Sequence, residues 1–233
     1  MSTIAGNLQA VEATIQVACQ AASRPRSTVQ LLAVSKTFPA EAVLEAAACG
    51  QRAFGENYLQ EGVDKIAAVA KALPDTRLEW HFIGPIQSNK TRPIAASFDW
   101  VHTVERLKIA QRLSEQRPPE LGPLNICLQV NISGEASKSG IPPEELPALA
   151  QAVAALPNLR LRGLMAIPEP QDDPELQRVP FARLRELAQD IVKSGIDLDT
   201  LSMGMSGDMR AAVLEGATIV RVGSAIFGAR HYE

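Results

Sequence analysis

The sequence predicts an α/β protein, a single (β/α)8 barrel, and three observations lead there. From residue 30 to the C-terminus, short β-type runs alternate with longer Ala/Leu/Glu-rich stretches, the pattern of parallel strands joined by helical crossovers. Eight such units fit within the 233 residues, a length at which α/β barrels close as one unit. The third observation is an absence. An open doubly wound sheet that binds dinucleotides carries GxGxxG directly after its first strand, and here that strand ends in VSKT.

A helix over about residues 4–22 comes first and packs outside the barrel or caps its bottom. The first strand spans residues 30–36 (QLLAVSK). Its helix runs over 39–49, opened by Pro39, whose fixed φ suits a first helical turn, and stopped by Gly50. A strand at 53–56 then pairs with a helix at 57–73, one at 79–84 with a helix from about 87, and one at 99–103 with a helix at 104–116. The fifth strand, 124–132 (LNICLQVNI), leads to a helix at 142–156, and the sixth, 159–167 (LRLRGLMAI), to a helix at 174–193. The seventh, 200–203, enters the loop MGMSGDM and a helix at 209–215. The eighth, 218–222 (TIVRV), leads into GSAIFGAR. No low-complexity linker or change of composition interrupts the series, so residues 1–233 are expected to form one domain. The Pro- and Asp-rich stretch 166–180 reads as a mobile loop over the barrel mouth.

With 23 Lys+Arg against 26 Asp+Glu, the net charge of −3 gives no electrostatic reason to expect a nucleic acid or an anionic membrane as partner. No apolar run approaches the roughly 18 residues of a membrane span, and the N-terminus has no basic start followed by an apolar block. A cytoplasmic protein is expected. Cys19, Cys49 and Cys127 are odd in number and outside any CxxC pattern, so no disulfide framework or metal site follows. Each reads as a small buried hydrophobe, Trp80 and Trp100 as packing residues, and Met203, Met205 and Met209 as core filler.

Lys36 ends an apolar strand, where barrel enzymes place catalytic groups. Partial desolvation of its amine would free the lone pair for attack on a carbonyl, making a Schiff base with an aldehyde feasible. The same residue could simply rest its stem on the rim with its ammonium in water. The loops after the seventh and eighth strands carry Ser206-Gly207 and Gly223-Ser224, small and hydroxylic residues of the kind that cradle an anion. In barrels these two loops are the common phosphate site, although any one of the glycines alone would be an ordinary turn residue. Arg221 lies between Val220 and Val222 and therefore faces opposite to both, either in an ion pair inside the barrel or as a donor to a ligand.

VSKTFPAEAVLEAAACGQRAFGENYLQEGVDKI, EWHFIGPIQSNK, VNISGEASKSGI, RLRGLMAIPE, LSMGMSGDM and VRVGSAIFGAR resemble, in order and nearly end to end, the YggS/PROSC family of pyridoxal 5′-phosphate (PLP) homeostasis proteins. The resemblance implies a barrel like the N-terminal domain of alanine racemase, the fold-type III class of PLP proteins. It also implies that PLP is held without established turnover. Residue by residue, it implies that Lys36 in VSKT forms the Schiff base with PLP, and that Asn57 in FGEN and Met165 in LMAIP line the ring. Ser206, Gly223 and Ser224 would hold the phosphate, and Arg221 would face the pyridine nitrogen. Where Ser224 stands many relatives have Thr, which keeps the hydroxyl. His81 and Asn89-Lys90 belong to motifs of the family with a weaker implication of ligand contact, and Lys138 reads as a solvated surface lysine.

An arginine at the ring nitrogen is always protonated and can only donate, so it favours an unprotonated pyridine and a weaker electron sink. Alanine racemases with Arg at this place use two bases, the second coming from an added β-domain and a dimer partner. This chain has Lys36 as one base, its tyrosines are Tyr58 and Tyr232, and it ends at Glu233 directly after the phosphate loop. A monomeric carrier that stores, protects or transfers PLP, with apo PLP-dependent enzymes as recipients, is therefore the expected function. A PLP-dependent racemase or lyase of low activity is the alternative. A Schiff-base aldolase acting on phosphosugars is a third class, which needs no arginine at a ring nitrogen. His81 and His102 read as structural residues rather than proton donors.

Overall fold

Short runs of β-branched and aliphatic residues form eight strands: β1 (Gln30–Val34), β2 (Ala53–Glu56), β3 (Glu79–Phe82), β4 (Trp100–Val104), β5 (Leu124–Gln129), β6 (Leu159–Met165), β7 (Thr200–Ser202) and β8 (Ile219–Val222). In the structure, a computed structural model that describes residues 3–134 and 139–229, each strand pairs in parallel with the next. β8 pairs back onto β1 with Leu32 opposite Arg221, which closes the expected barrel. Closure removes the sheet edges, leaving the strand ends and loops to carry chemistry. Lys138 and Tyr232 lie outside the described residues.

Strand alternation sorts side chains between two cores. On β8, Val220 and Val222 join the large cluster between sheet and helices, while Ile219 joins a smaller cluster with Leu32, Ala53, Trp100, Cys127 and Met165. Arg221 shares the face of Ile219 and points into the barrel, as alternation requires. Between the strands run α2 (Ala40–Ala48), α3 (Leu59–Ala72), α4 (Thr91–Ser97), α5 (Leu107–Gln116), α6 (Leu146–Ala154), α7 (Pro174–Lys193) and α8 (Met209–Leu214), with α9 (Ser224–Phe227) after β8. The first helix, α1 (Ile4–Ala21), is capped by Thr3, whose hydroxyl accepts the Gly6 N–H at 3.1 Å. Leu8, Val11, Ile15, Ala18 and Cys19 form its buried stripe, packed on α2, α8 and α9. Of the two expected places for this helix, the structure takes the outside of the barrel.

Several sequence expectations need correction. Residues 174–180 are helical: Asp173 caps α7 by accepting the Glu175 N–H at 2.8 Å, and Pro174 sits at a tolerated first position. These two start signals prevail over Pro180 inside the helix, so the loop is confined to the residues before α7. Val104 stays in β4, and Pro142 and Pro143 make a turn before α6. Cys49 is exposed at the end of α2, whereas Cys19 and Cys127 are buried. Burial pushes the Cys127 thiol up to about 12, the state of an inert packing residue. No helix among the described residues is long and apolar enough to cross a membrane.

Candidate functional site

At the C-terminal ends of the strands a cavity of about 300 Å³ opens, at the small end of the usual range for ligand sites. Lys36, Asn57, Met165, Ser206, Arg221, Gly223 and Ser224 all line it. These seven residues come from loops or strand ends of five units, and barrel closure brings them together. Larger cavities of about 460 and 430 Å³ lie at the opposite end, near the starts of β6 and β7, and none of the seven lines them. His81 is fully buried inside the barrel, Asn89 and Lys90 are exposed ahead of α4, and none of the three lines the cavity.

The backbone on either side of Lys36 is held by a buried charge network. Ser35 Oγ donates to Glu56 Oε1 at 2.6 Å, and Lys65 Nζ donates to the Ser35 carbonyl at 2.7 Å and to Glu56 Oε1 at 2.6 Å. On the far side, the Thr37 N–H donates to Glu61 Oε1 at 2.6 Å, and Glu61 also accepts from Lys65 at 2.9 Å. Thr37 has φ +66°, a left-handed conformation that a β-branched residue adopts only under such constraint. Burial raises the Glu56 carboxyl above its ordinary value, and the Lys65 charge offsets part of that shift.

Asn57 follows β2 and lines the cavity, and its Oδ1 is buried without a hydrogen-bond partner among the described residues, an unusual state for a polar atom. Gly84 makes this placement possible, since a Cβ there would stand 2.0 Å from the Asn57 carbonyl oxygen. Across the cavity, Gly204 takes φ +94° and accepts the Arg221 N–H at 2.9 Å, and Asp208 Oδ1 accepts the Met205 N–H at 2.6 Å. These contacts shape the 205–208 loop. Within it the Ser206 and Gly207 N–H groups and the Ser206 hydroxyl have no intramolecular partner among the described residues, and neither has the Ser224 hydroxyl. Arg221 is buried and donates to Ser202 Oγ at 2.7 Å and the Ala166 carbonyl at 3.0 Å. Burial pulls its guanidinium down to about 10, with Asp208 and Cys127 opposing the shift, so it remains charged at neutral pH.

A family model described as "Alanine racemase, N-terminal domain" matches residues 6–231. A protein of Pseudomonas aeruginosa named "Pyridoxal phosphate homeostasis protein" is 66% identical over 232 residues, 100% of this chain and 98% of the relative. The chain belongs to the pyridoxal phosphate homeostasis protein family, built on the alanine racemase N-terminal domain. PipY of Synechococcus elongatus, solved with PLP bound, is 38% identical with a TM-score of 0.83, over 97% of this chain and 100% of PipY. Alanine racemase from Corynebacterium glutamicum is similar in fold, with 21% identity and a TM-score of 0.65 over 96% of this chain and 61% of the racemase.

In this homeostasis-family barrel, sequence reasoning missed part of the site. Val34, Ile83, Ile167 and Met205 also line the cavity, beside Gly207 of the expected anion cradle, and Met205, read as core filler, is exposed there. Met203 and Met209 are buried as expected. Strand-end position signalled Val34 and Ile83. The Glu61–Lys65 spacing of four within a helix signalled an ion pair, but nothing local showed that it would turn toward Lys36. No group of three or more His, Cys, Asp or Glu among the described residues is placed to hold a metal ion.

Proposed function

We propose that this barrel binds PLP reversibly through Lys36 and carries it, in storage, protection or transfer to apo PLP-dependent enzymes, without turning over amino acids. The protein is read as one cytoplasmic domain, acting as a monomer. The supporting observation is the composition of the cavity. One amine, one guanidinium and a cluster of unpartnered hydroxyl and amide groups face it, and no Asp, Glu, His or Tyr is among the described residues lining it.

Those residues fit PLP. When bound, PLP supplies an aldehyde for an amine and an electron-withdrawing ring. Lys36 Nζ is the amine for the aldehyde. Ser206 Oγ, Ser224 Oγ and the Ser206 and Gly207 N–H groups would hold the phosphate oxygens as charge-assisted donors. Asn57 and Met165 would line the ring. Arg221 has three N–H groups left for the ring nitrogen, and as a permanent donor it keeps that nitrogen unprotonated. Racemisation needs proton exchange at two faces of a substrate, and Lys36 is the one base among the described lining residues.

Borohydride reduction of the PLP-loaded protein followed by peptide mapping tests this reading. The phosphopyridoxyl group is expected on Lys36, and Lys36→Ala is expected to lose it while staying folded. A main adduct on another lysine overturns the assignment, and sustained product formation from added amino acids overturns the carrier.

A further inference from the structure

A continuous hydrogen-bonded chain crosses the inside of the barrel from its N-terminal end to the cavity. Glu79, partly exposed at the start of β3, sits 2.8 Å from His81 Nε2. His81 Nδ1 lies 2.8 Å from His102 Nε2 on β4, and His102 Nδ1 lies 2.7 Å from Ser202 Oγ at the end of β7. Ser202 Oγ then accepts from Arg221 Nη1 at 2.7 Å. Both histidines and the serine are fully buried, and the His81 ring stacks on Trp100 at 5.3 Å between centroids.

The protons along this chain can be assigned from its two ends. A carboxylate only accepts, so His81 Nε2 carries hydrogen and its Nδ1 is bare. His102 Nε2 must then donate to His81, leaving His102 Nδ1 bare to accept from the Ser202 hydroxyl. Ser202, its one proton committed, accepts from Arg221. Reversing every bond would point the Ser202 proton at a guanidinium N–H, donor against donor, and would need a protonated Glu79. The carboxylate and the guanidinium therefore enforce the same direction.

The surrounding charges agree with this assignment. The hydrogen bond from His81 holds the Glu79 carboxyl down at about 2. Burial lowers His81 against the pull of Glu79 and Asp99, and burial together with His81 and Arg221 lowers His102, so both rings are neutral. Gln30 Nε2 also donates to Glu79, and Asp208 and Cys127 face Arg221 from other units of the barrel.

We propose that Glu79, His81, His102 and Ser202 form a one-directional relay that positions Arg221, fixing which guanidinium N–H groups remain for the ring nitrogen of the ligand. None of the four lines the cavity, so each is a positioning residue acting through Arg221. The proposal rests on the reading that the cavity takes PLP.

The test combines two readouts. In the ligand-free protein, 15N NMR of labelled histidine should show both rings neutral, protonated at Nε2 and bare at Nδ1. Glu79→Gln replaces an obligate acceptor with an amide that donates as readily, so mixed tautomers and faster exchange of the Arg221 side-chain N–H groups are expected. With PLP, Glu79→Gln and Ser202→Ala should each raise Kd about three- to tenfold and shift the pH midpoint of the bound cofactor's absorption band. Ser202→Thr, which restores the hydroxyl, should recover both. Glu12→Gln removes the same charge from a surface pair with Arg26 and should change neither. An Nδ1–H tautomer in the wild type, or Glu79→Gln and Ser202→Ala proteins with wild-type spectra, overturns the relay. If the wild type does not retain PLP, the proposed function falls, and the histidine tautomers with the Arg221 exchange rates still decide the relay.

Discussion

Replacing Lys65 with methionine tests whether the buried charge network behind Lys36 holds the site together. The Lys65 side chain is 4% exposed and its ammonium donates three bonds, to Ser35 O, Glu56 Oε1 and Glu61 Oε1. Met keeps the stem volume and removes the charge. Glu56, whose side chain is 0% exposed, would then retain only the Ser35 hydroxyl as a partner, and its Oε2 already has none. Breaking a buried pair from one side costs about 3–5 kcal/mol. For a chain of this length each kcal/mol lowers Tm by about 2–4 °C, so a fall of about 6–20 °C is expected. The sign of the pH dependence follows from Glu56. Its carboxyl is already raised above the ordinary 4.5, and loss of Lys65 raises it further. A raised carboxyl weakens the fold as pH rises through its folded value, and the loss is recovered toward and below 4.5. The Tm deficit of Lys65→Met relative to wild type should therefore be largest at neutral pH and shrink on acidification, as measured by calorimetry across pH. PLP retention should fall in parallel, because Ser35 and Thr37 lose their common tether. A deficit no larger than that of Lys71→Met, exposed on the same helix, or one independent of pH, would refute the reasoning.

Ser206→Ala and Ser224→Ala should each cost about 1.5–3 kcal/mol of PLP affinity, one to two decades in Kd, by spectrophotometric titration. Equal wild-type affinity for pyridoxal and PLP would show that the two loops are merely turns. The wild type should exchange negligible Cα hydrogen of alanine, serine or glutamate into deuterated solvent, whereas Arg221→Glu, if it folds despite the buried charge change, should exchange faster; rapid multiple-turnover exchange in the wild type would favour the racemase alternative. Gly84→Ala forces a Cβ to within 2.0 Å of the Asn57 carbonyl oxygen, so about 1–3 kcal/mol or more should be lost in urea denaturation together with PLP affinity. An unchanged midpoint would mean that the chain opens there without strain.

Much of this protein was legible in one dimension, because barrel strands and their helices declare themselves within a few residues. The alternation of β8 set Arg221 opposite Val220 and Val222, and strand-end position singled out Lys36. The two Gly/Ser loops marked an anion cradle, since small residues and hydroxyls are local features. Start signals for α7 were also local, yet Asp173 and Pro174 had to be weighed against Pro180, and the fold resolved that competition in favour of helix. What periodicity cannot supply is the neighbour. It tells which face of a strand His81, His102 and Ser202 occupy, but His102 and Ser202 are 100 residues apart and meet only when the barrel closes. The same holds for Lys65, four residues after Glu61 on one helix, whose contact with Glu56 depended on how α3 docks against β2. Local backbone preference acts over three or four residues. Closure acts over the whole chain, and it decided which buried charges stand behind Lys36 and Arg221.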